Sequence, residues 1–150
     1  MTLTVKQYLG QAYLLDKRIK SDTMELEELR LMSGTISSPG FEEHYNASKN
    51  TDAPYIKTIE KIYEMEQKIM EEMQLLLDLK QQIRDVISQV EKPEHQMILR
   101  YRYIHNLSWP KIGDKLCADT TTVQRWHNKA IAKIKLPEDA IILKVAMVCH

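Results

Sequence analysis

The sequence predicts an all-α fold, with a long helical arm (a helical hairpin or coiled coil) followed by a helix-turn-helix domain. Three observations predict it. Breakers are scarce, with 4 Gly and 5 Pro in 150 residues, which favours long helices over strands and turns. Apolar residues recur at helical spacing over two long stretches before residue 92. After Lys92-Pro93 the pattern changes to short apolar runs separated by capping residues. The expected boundaries are therefore an arm over 1–92, with a linker at about 33–54, and a compact domain over 93–150 with a short C-terminal tail.

The first helix is expected from about Thr4 to Met32. Tyr8, Ala12, Leu15, Ile19, Leu26 and Leu29 fall on one face at a period near 3.6. Thr4 is its candidate cap, and Ser33-Gly34 its expected end, with glycine free to take the left-handed conformation there. The linker to Pro54 holds two prolines and many Ser, Thr and Asn, with a helical turn expected at Phe41–Tyr45. The second helix is expected from about Tyr55 to Val90. Ile62, Ile69, Leu76, Ile83 and Val90 lie seven apart, and Met65, Leu79 and Val86 fill intervening positions, with Glu72 the exception. Sustained over about four heptads, such a repeat reads as a coiled-coil seam, either within the chain or between copies. Met65, Met70 and Met73 suggest an adaptable apolar surface, with the filling of core gaps the favoured reading, and Glu64, Glu66, Glu71 and Glu72, interleaved with Lys61 and Lys68, read as a solvated face.

Pro93 starts a third helix, Glu94 to His105, with Met97, Ile98, Tyr101 and Ile104 on one side. Asn106-Leu107 makes a turn. Ser108 can cap a short helix, Trp109 to Leu116, in which Pro110 is tolerated in the first turn. Gly113 offers a place for another helix to approach closely. Cys117-Ala118-Asp119 is the next turn, where a small apolar residue fits at Cys117, and Asp119 is a cap candidate for a last helix running to about Leu136. On that helix Val123, Trp126, Ala130 and Ile134 share one side, while Thr121, Gln124, Arg125 and Asn128 share the other. Trp109 and Trp126 both read as core aromatics. For residues 137–150 the sequence leaves open a short extra helix or a dimer contact.

Charge supports a nucleic-acid partner. The formal net charge is zero, but residues 95–136 hold eight basic side chains against two acidic ones. Such asymmetry suggests a nucleic-acid partner, with an ordinary basic face of a soluble domain as the alternative reading. Cys117 and Cys149 are too few for a disulfide framework, and with His95, His105, His127 and His150 they form no metal-ligand spacing. The N-terminus has no signal pattern and no apolar run approaches the ~18 residues that span a bilayer. A cytoplasmic protein with no membrane association follows as the expectation. No phosphate-cradling loop, nucleophile elbow or metal motif is present, so neither an enzyme nor a cofactor is expected.

A short helix, a tight turn and a longer helix with a polar N-terminal face suit double-stranded DNA. The major groove admits one helix, and donors and acceptors near its N-terminus read base edges. Arg125 and Gln124 can bond guanine and adenine twice each, and Thr121 can offer a hydroxyl or touch a thymine methyl. Lys129, Lys133 and Lys135 would meet phosphates.

Leu107 to Ile134, LSWPKIGDKLCADTTTVQRWHNKAIAKI, resembles region four of the sigma-70 family. The likeness rests on Ser108, Ile112-Gly113, Leu116, Ala118 and the run Val123, Trp126, Lys129, Ala130, Ile131, Lys133, Ile134. The whole-chain plan resembles small phage and prophage late transcription regulators of the autolysin-regulator type. These resemblances imply DNA binding in transcription control, promoter contacts at Thr120, Thr121, Gln124 and Arg125, and RNA polymerase as a further partner. Asn128, Lys129 and Lys133 complete the expected DNA-binding set. Thr120, Thr121, Thr122 and Gln124 stand where sigma factors usually carry charge, so their base preference does not carry over. Regions that bind the polymerase core are absent, so a complete sigma factor is not expected. Two other readings stand beside this one: a DNA-packaging recognition subunit, and a protein-interaction module docking on polymerase. A homo-oligomer through the helical arm is compatible with each.

Overall fold

The computed structural model describes residues 3–36 and 48–143, and among these the fold is all-α with no strand. The helices are α1 (Val5–Ile36), α2 (Ser48–Ser88), α3 (Pro93–Leu99), α4 (Trp109–Leu116) and α5 (Thr120–Ala132). Among the described residues no helix is long and apolar enough to cross a membrane.

The ends of the long helices differ from expectation. At its start α1 behaves as predicted: Thr4 Oγ1 accepts from the Gln7 amide at 3.1 Å, and Gln7 Oε1 accepts from the Thr4 amide at 2.9 Å. These reciprocal bonds satisfy two donors that a helix start leaves unpaired. At its other end α1 runs through Ser33-Gly34 to Ile36, and Gly34 does not take a positive φ. A mid-helix glycine costs only about 1 kcal/mol, too little to stop so long a helix. On the far side of the linker α2 begins at Ser48, so Pro54 lies inside it rather than before it. Its ring removes one amide from the ladder, and the Thr58 hydroxyl donates to the Pro54 carbonyl at 2.9 Å. The turn expected at Phe41–Tyr45 lies outside the described residues.

The chain divides into two compact units, one of residues 1–16 with 75–150 and one of 17–74. The division cuts through α1 and α2 instead of falling at Pro93. In the 17–74 unit Leu26 and Ile69 are buried, with Ile19, Leu29, Ile62 and Met65 half-buried. Ion pairs tie the two helix segments, among them Arg18–Glu72 at 3.2 Å, Asp22–Lys68 at 3.6 Å and Arg30–Glu66 at 2.9 Å. Position numbers rise on one helix as they fall on the other, so the segments run antiparallel. Glu72, the exception in the heptad, therefore sits in a polar layer and not on the solvated face. Its side chain is 12% exposed. Burial, together with the hydrogen bond its protonated form donates to Asp22 and repulsion by that carboxylate, pushes its pKa up to about 7 against the pull of Arg18 and Lys68. Asp22 fills the gap between Ile19 and Leu26 on the apolar face of α1. Met70 and Met73 are exposed, against the expectation that they fill the core.

The other unit has two apolar clusters with α3 between them. Tyr8, Leu9 and Ala12 of α1 join Leu79, Ile83, Val86 and Ile87 of α2, then Val90, Leu99, Tyr103, Ile104, Ala130 and Ile134. Ile98, Ile112 and Val123 form the second cluster, with Tyr101, Leu107, Trp109, Leu116, Ala118 and Trp126 packed around it. α3 begins at Pro93 and continues through a π-helical turn, Arg100–Ile104. The extra residue of that turn shifts the helical phase. Leu99 and Tyr103 are buried along with Ile98 and Ile104, while Met97 of the expected face is exposed.

Residues 137–143 are not helical, and two glutamines hold them. Gln11, fully buried, donates to the Ile141 carbonyl at 2.9 Å and accepts from the Leu143 amide at 2.7 Å. Gln82 Oε1 accepts from the Tyr8 hydroxyl at 2.6 Å and the Ile141 amide at 2.9 Å, while its Nε2 donates to the Asp139 carbonyl at 3.0 Å. The described part of the tail thus pairs its backbone with side-chain amides and seals the first cluster with Ile141 and Leu143.

Candidate functional site

Sequence chemistry fixes the geometry of α4, the turn and α5. Ser108 caps α4 through a long bond from the Lys111 amide, 3.4 Å. Cys117 ends the helix in the left-handed region, φ 54° and ψ 43°, with its amide bonded to the Gly113 carbonyl. The demand at Cys117 is therefore a positive φ on an exposed residue, not the small apolar side chain expected. The Ala118 amide also donates to the Gly113 carbonyl, at 3.0 Å. A Cβ on Gly113 would lie 2.5 Å from the Ala118 carbonyl oxygen. The close approach predicted at Gly113 is thus made by the turn's own backbone rather than by another helix.

Asp119 opens α5. Its Oδ1 accepts from the Thr122 amide at 2.8 Å, and hydrogen bonds from the Thr122 hydroxyl and amide hold its pKa below the usual value. The helix ends at Ala132, before Leu136, so Lys133 caps it and Ile134, although buried, follows it. Val123, His127 and Ala130 are the buried residues of α5, while Trp126 is only half-buried. The inward face is therefore turned from the expected line toward His127.

His127 is held by three aromatic or amide partners. The Tyr103 hydroxyl lies 2.6 Å from Nε2, and Asn128 Oδ1 lies 3.3 Å from Nδ1. Trp109 meets the imidazole edge-on at 4.8 Å. A neutral imidazole satisfies this set, with the hydroxyl donating to Nε2 and Nδ1–H donating to Asn128. Burial pushes the His127 pKa down to about 4, with Lys6 and Arg102 acting the same way and the Asn128 bond opposing.

This arrangement predicts acid sensitivity. The folded pKa lies below the unfolded one, about 6.5, so the unfolded chain binds the extra proton between these values. Stability from neutral His127 is complete above about pH 6.5 and is lost as pH falls toward 4, an expected cost of about 2 kcal/mol by pH 5. Thermal melts between pH 7.5 and 5, with the His127 ring followed by NMR, check it. An imidazole titrating near 6.5 in the folded protein would contradict the burial.

Thr121, Gln124, Arg125, Asn128, Lys129 and Lys133 are all exposed, and Thr120 is half-buried. The structure brings the first four together on the outward side of α5, with Lys129 and Lys133 following toward its C-terminus. Arg125 makes a long contact to the Thr122 hydroxyl, 3.5 Å. Among the described residues no carboxylate lies within ion-pair distance of Arg125, Lys129 or Lys133. The charges of Lys133, Lys92 and Lys129 converge on His95, whose pKa burial and these lysines hold below the usual histidine value. Glu94 acts in the opposite direction.

Two cations that sequence reasoning left without a role are engaged elsewhere. The Arg102 guanidinium lies 4.2 Å over the Trp109 ring and donates to the Leu107 carbonyl at 3.1 Å. Lys115 lies 5.8 Å over Tyr101. Arg102 thus braces the turn that begins at Asn106, whose φ of 56° suits asparagine. Its spacing to Trp109, across a turn of unknown shape, gave no sign of the stacking. Among the described residues no group of His, Cys, Asp and Glu is placed to hold a metal ion.

No curated protein and no solved structure matches the chain. A family model does match, over residues 11–136, a span that takes in both units. The chain belongs to that family, described as a protein of unknown function (DUF722).

Proposed function

We propose that the chain is a sequence-specific DNA-binding transcriptional regulator, in which α4, the turn and α5 act as a helix-turn-helix and α5 enters the major groove. The observation that carries this reading is the outward side of α5. Thr121, Gln124 and Arg125 are exposed in its first two turns with Asn128 one turn on, and Lys129 and Lys133 follow without carboxylate partners among the described residues. Base-edge readers cluster near the N-terminus of a groove-bound helix, and flanking cations neutralise phosphates. The buried trio Val123, His127 and Ala130 fixes which side faces out. The likeness to sigma region four and to late phage regulators supports a role in transcription control, with RNA polymerase a further proposed partner.

A salt titration of duplex binding tests this. Three to five phosphate contacts give a slope of log K against log salt of about −3 to −5. Lys133→Ala is expected to weaken specific and random duplexes equally and to flatten the slope by about one. A flat salt response, or no binding at low salt, would favour docking on a protein instead.

A further inference from the structure

The exposed side of α2 carries a second apolar repeat, separate from the heptad seam. Ile56, Ile59, Tyr63, Met70 and Met73 are 54%, 42%, 63%, 64% and 52% exposed. With Glu66 they are spaced 3, 4, 3, 4 and 3 residues apart, the spacing of a coiled-coil stripe. Over residues 56–73 the stripe extends about 27 Å. All of it lies in the 17–74 unit.

We propose that this stripe pairs with the same stripe of a second copy of the chain, the two α2 helices running antiparallel. The spacing reads the same in both directions, so the stripe is its own complement. An antiparallel pairing sets Ile56 opposite Met73, Ile59 opposite Met70, and Tyr63 opposite Glu66. Electrostatics selects this direction. A parallel pair would stack Glu66 on Glu66, whereas the antiparallel pair brings each Glu66 carboxylate to a tyrosine hydroxyl that can donate to it. Glu66 already has Arg30 at 2.9 Å in its own chain, so the one charge on the stripe enters the interface compensated. Flanking positions Glu60, Gln67 and Gln74 carry one charge among three, and no like-charge ladder opposes close approach. The neighbouring Glu60, Glu64 and Glu71 against Lys57 leave this side acidic, which disfavours a highly charged anionic membrane or nucleic acid as occupant and weakens the pairing of two copies at low salt, a repulsion that physiological salt screens. Five side chains per copy, 42–64% exposed, bury at most on the order of 1,000 Å² in total, the lower bound for a specific interface. The dimer is therefore weak and concentration-dependent.

Sedimentation velocity of the full chain over roughly 5–500 μM tests the pairing. The weight-average mass is expected to rise from one chain toward two, and Met70→Lys to move the midpoint at least about tenfold higher. Because Met70 is exposed, the helical circular dichroism and melting temperature of the variant should match the parent, which separates lost pairing from lost fold. Direction is read by cysteine cross-linking in a Cys117→Ser, Cys149→Ser background. Ile59→Cys chains mixed with Met70→Cys chains should cross-link to each other, and neither alone. A monomer at every concentration would overturn the proposal and leave the stripe to a different partner. Association untouched by Met70→Lys, or self-cross-linking of a single variant, would overturn it as well.

Discussion

Gly113→Ala is expected to destabilise the protein by about 2 kcal/mol, and Gly113→Val by about 3 kcal/mol or more. The sign is not obvious from α4 alone. Alanine in a helix gains about 1 kcal/mol over glycine, and Gly113 has ordinary helical φ. The deciding contact is the Ala118 carbonyl oxygen, 2.5 Å from the new Cβ. That atom is backbone and cannot rotate aside as a side chain would. Relief requires moving the turn, and the turn's amides at Cys117 and Ala118 are both bonded to the Gly113 carbonyl. The overlap therefore outweighs the propensity gain. Denaturant melts of the two variants measure it, and Cys117→Gly, which removes a left-handed non-glycine residue, should shift stability the other way. A neutral or stabilised Gly113→Ala would show that the turn is not packed as described.

Arg125→Ala is expected to lose about 1–3 kcal/mol on a selected duplex, roughly 5- to 150-fold in affinity. Arg125 is exposed in the second turn of α5, and among the described residues its one polar contact is the long bond to Thr122. Removing it therefore leaves the fold intact, so the loss reports on DNA alone. A planar fork that bonds guanine twice discriminates one base pair, and the variant should lose preference at one position while keeping the others. Fluorescence anisotropy on the selected duplex and single-base variants reads both effects. A uniform loss on every sequence would make Arg125 a phosphate contact.

Much of this architecture is legible in the chain itself. The 3.6-residue period of Tyr8, Ala12, Leu15 and Leu26 and the seven-residue steps of Ile69 and Ile83 mark residues that are buried. Asp119 and Ser108 mark helix starts because short oxygen-bearing side chains satisfy orphan amides. Features set by a distant partner were not legible. Periodicity cannot distinguish a methionine facing a neighbouring helix from one facing solvent, and nothing local separates the exposed Met70 and Met73 from the half-buried Met65. Glu72 breaks the heptad for a reason that lies 50 residues away at Asp22 and Arg18. His127 displaces Trp126 from the inward line because Tyr103 offers its ring nitrogen a hydroxyl, and the π-turn that sets Tyr103 inward has no sequence signature. The tail is fixed by Gln11 and Gln82, whose amides look like ordinary surface residues until their partners are known. The outward side of α5 was legible because a cap at Asp119 and two buried positions determine a helix's rotation.

Selection from a random double-stranded DNA pool, with the full chain at about 0.15 M salt, tests DNA reading by α5 most directly. Enrichment of a short motif is predicted, with one base position changing when Arg125 is replaced and others when Gln124 or Thr121 is replaced. A pool that stays random through repeated rounds, with the protein folded and binding no duplex at low salt, would contradict it.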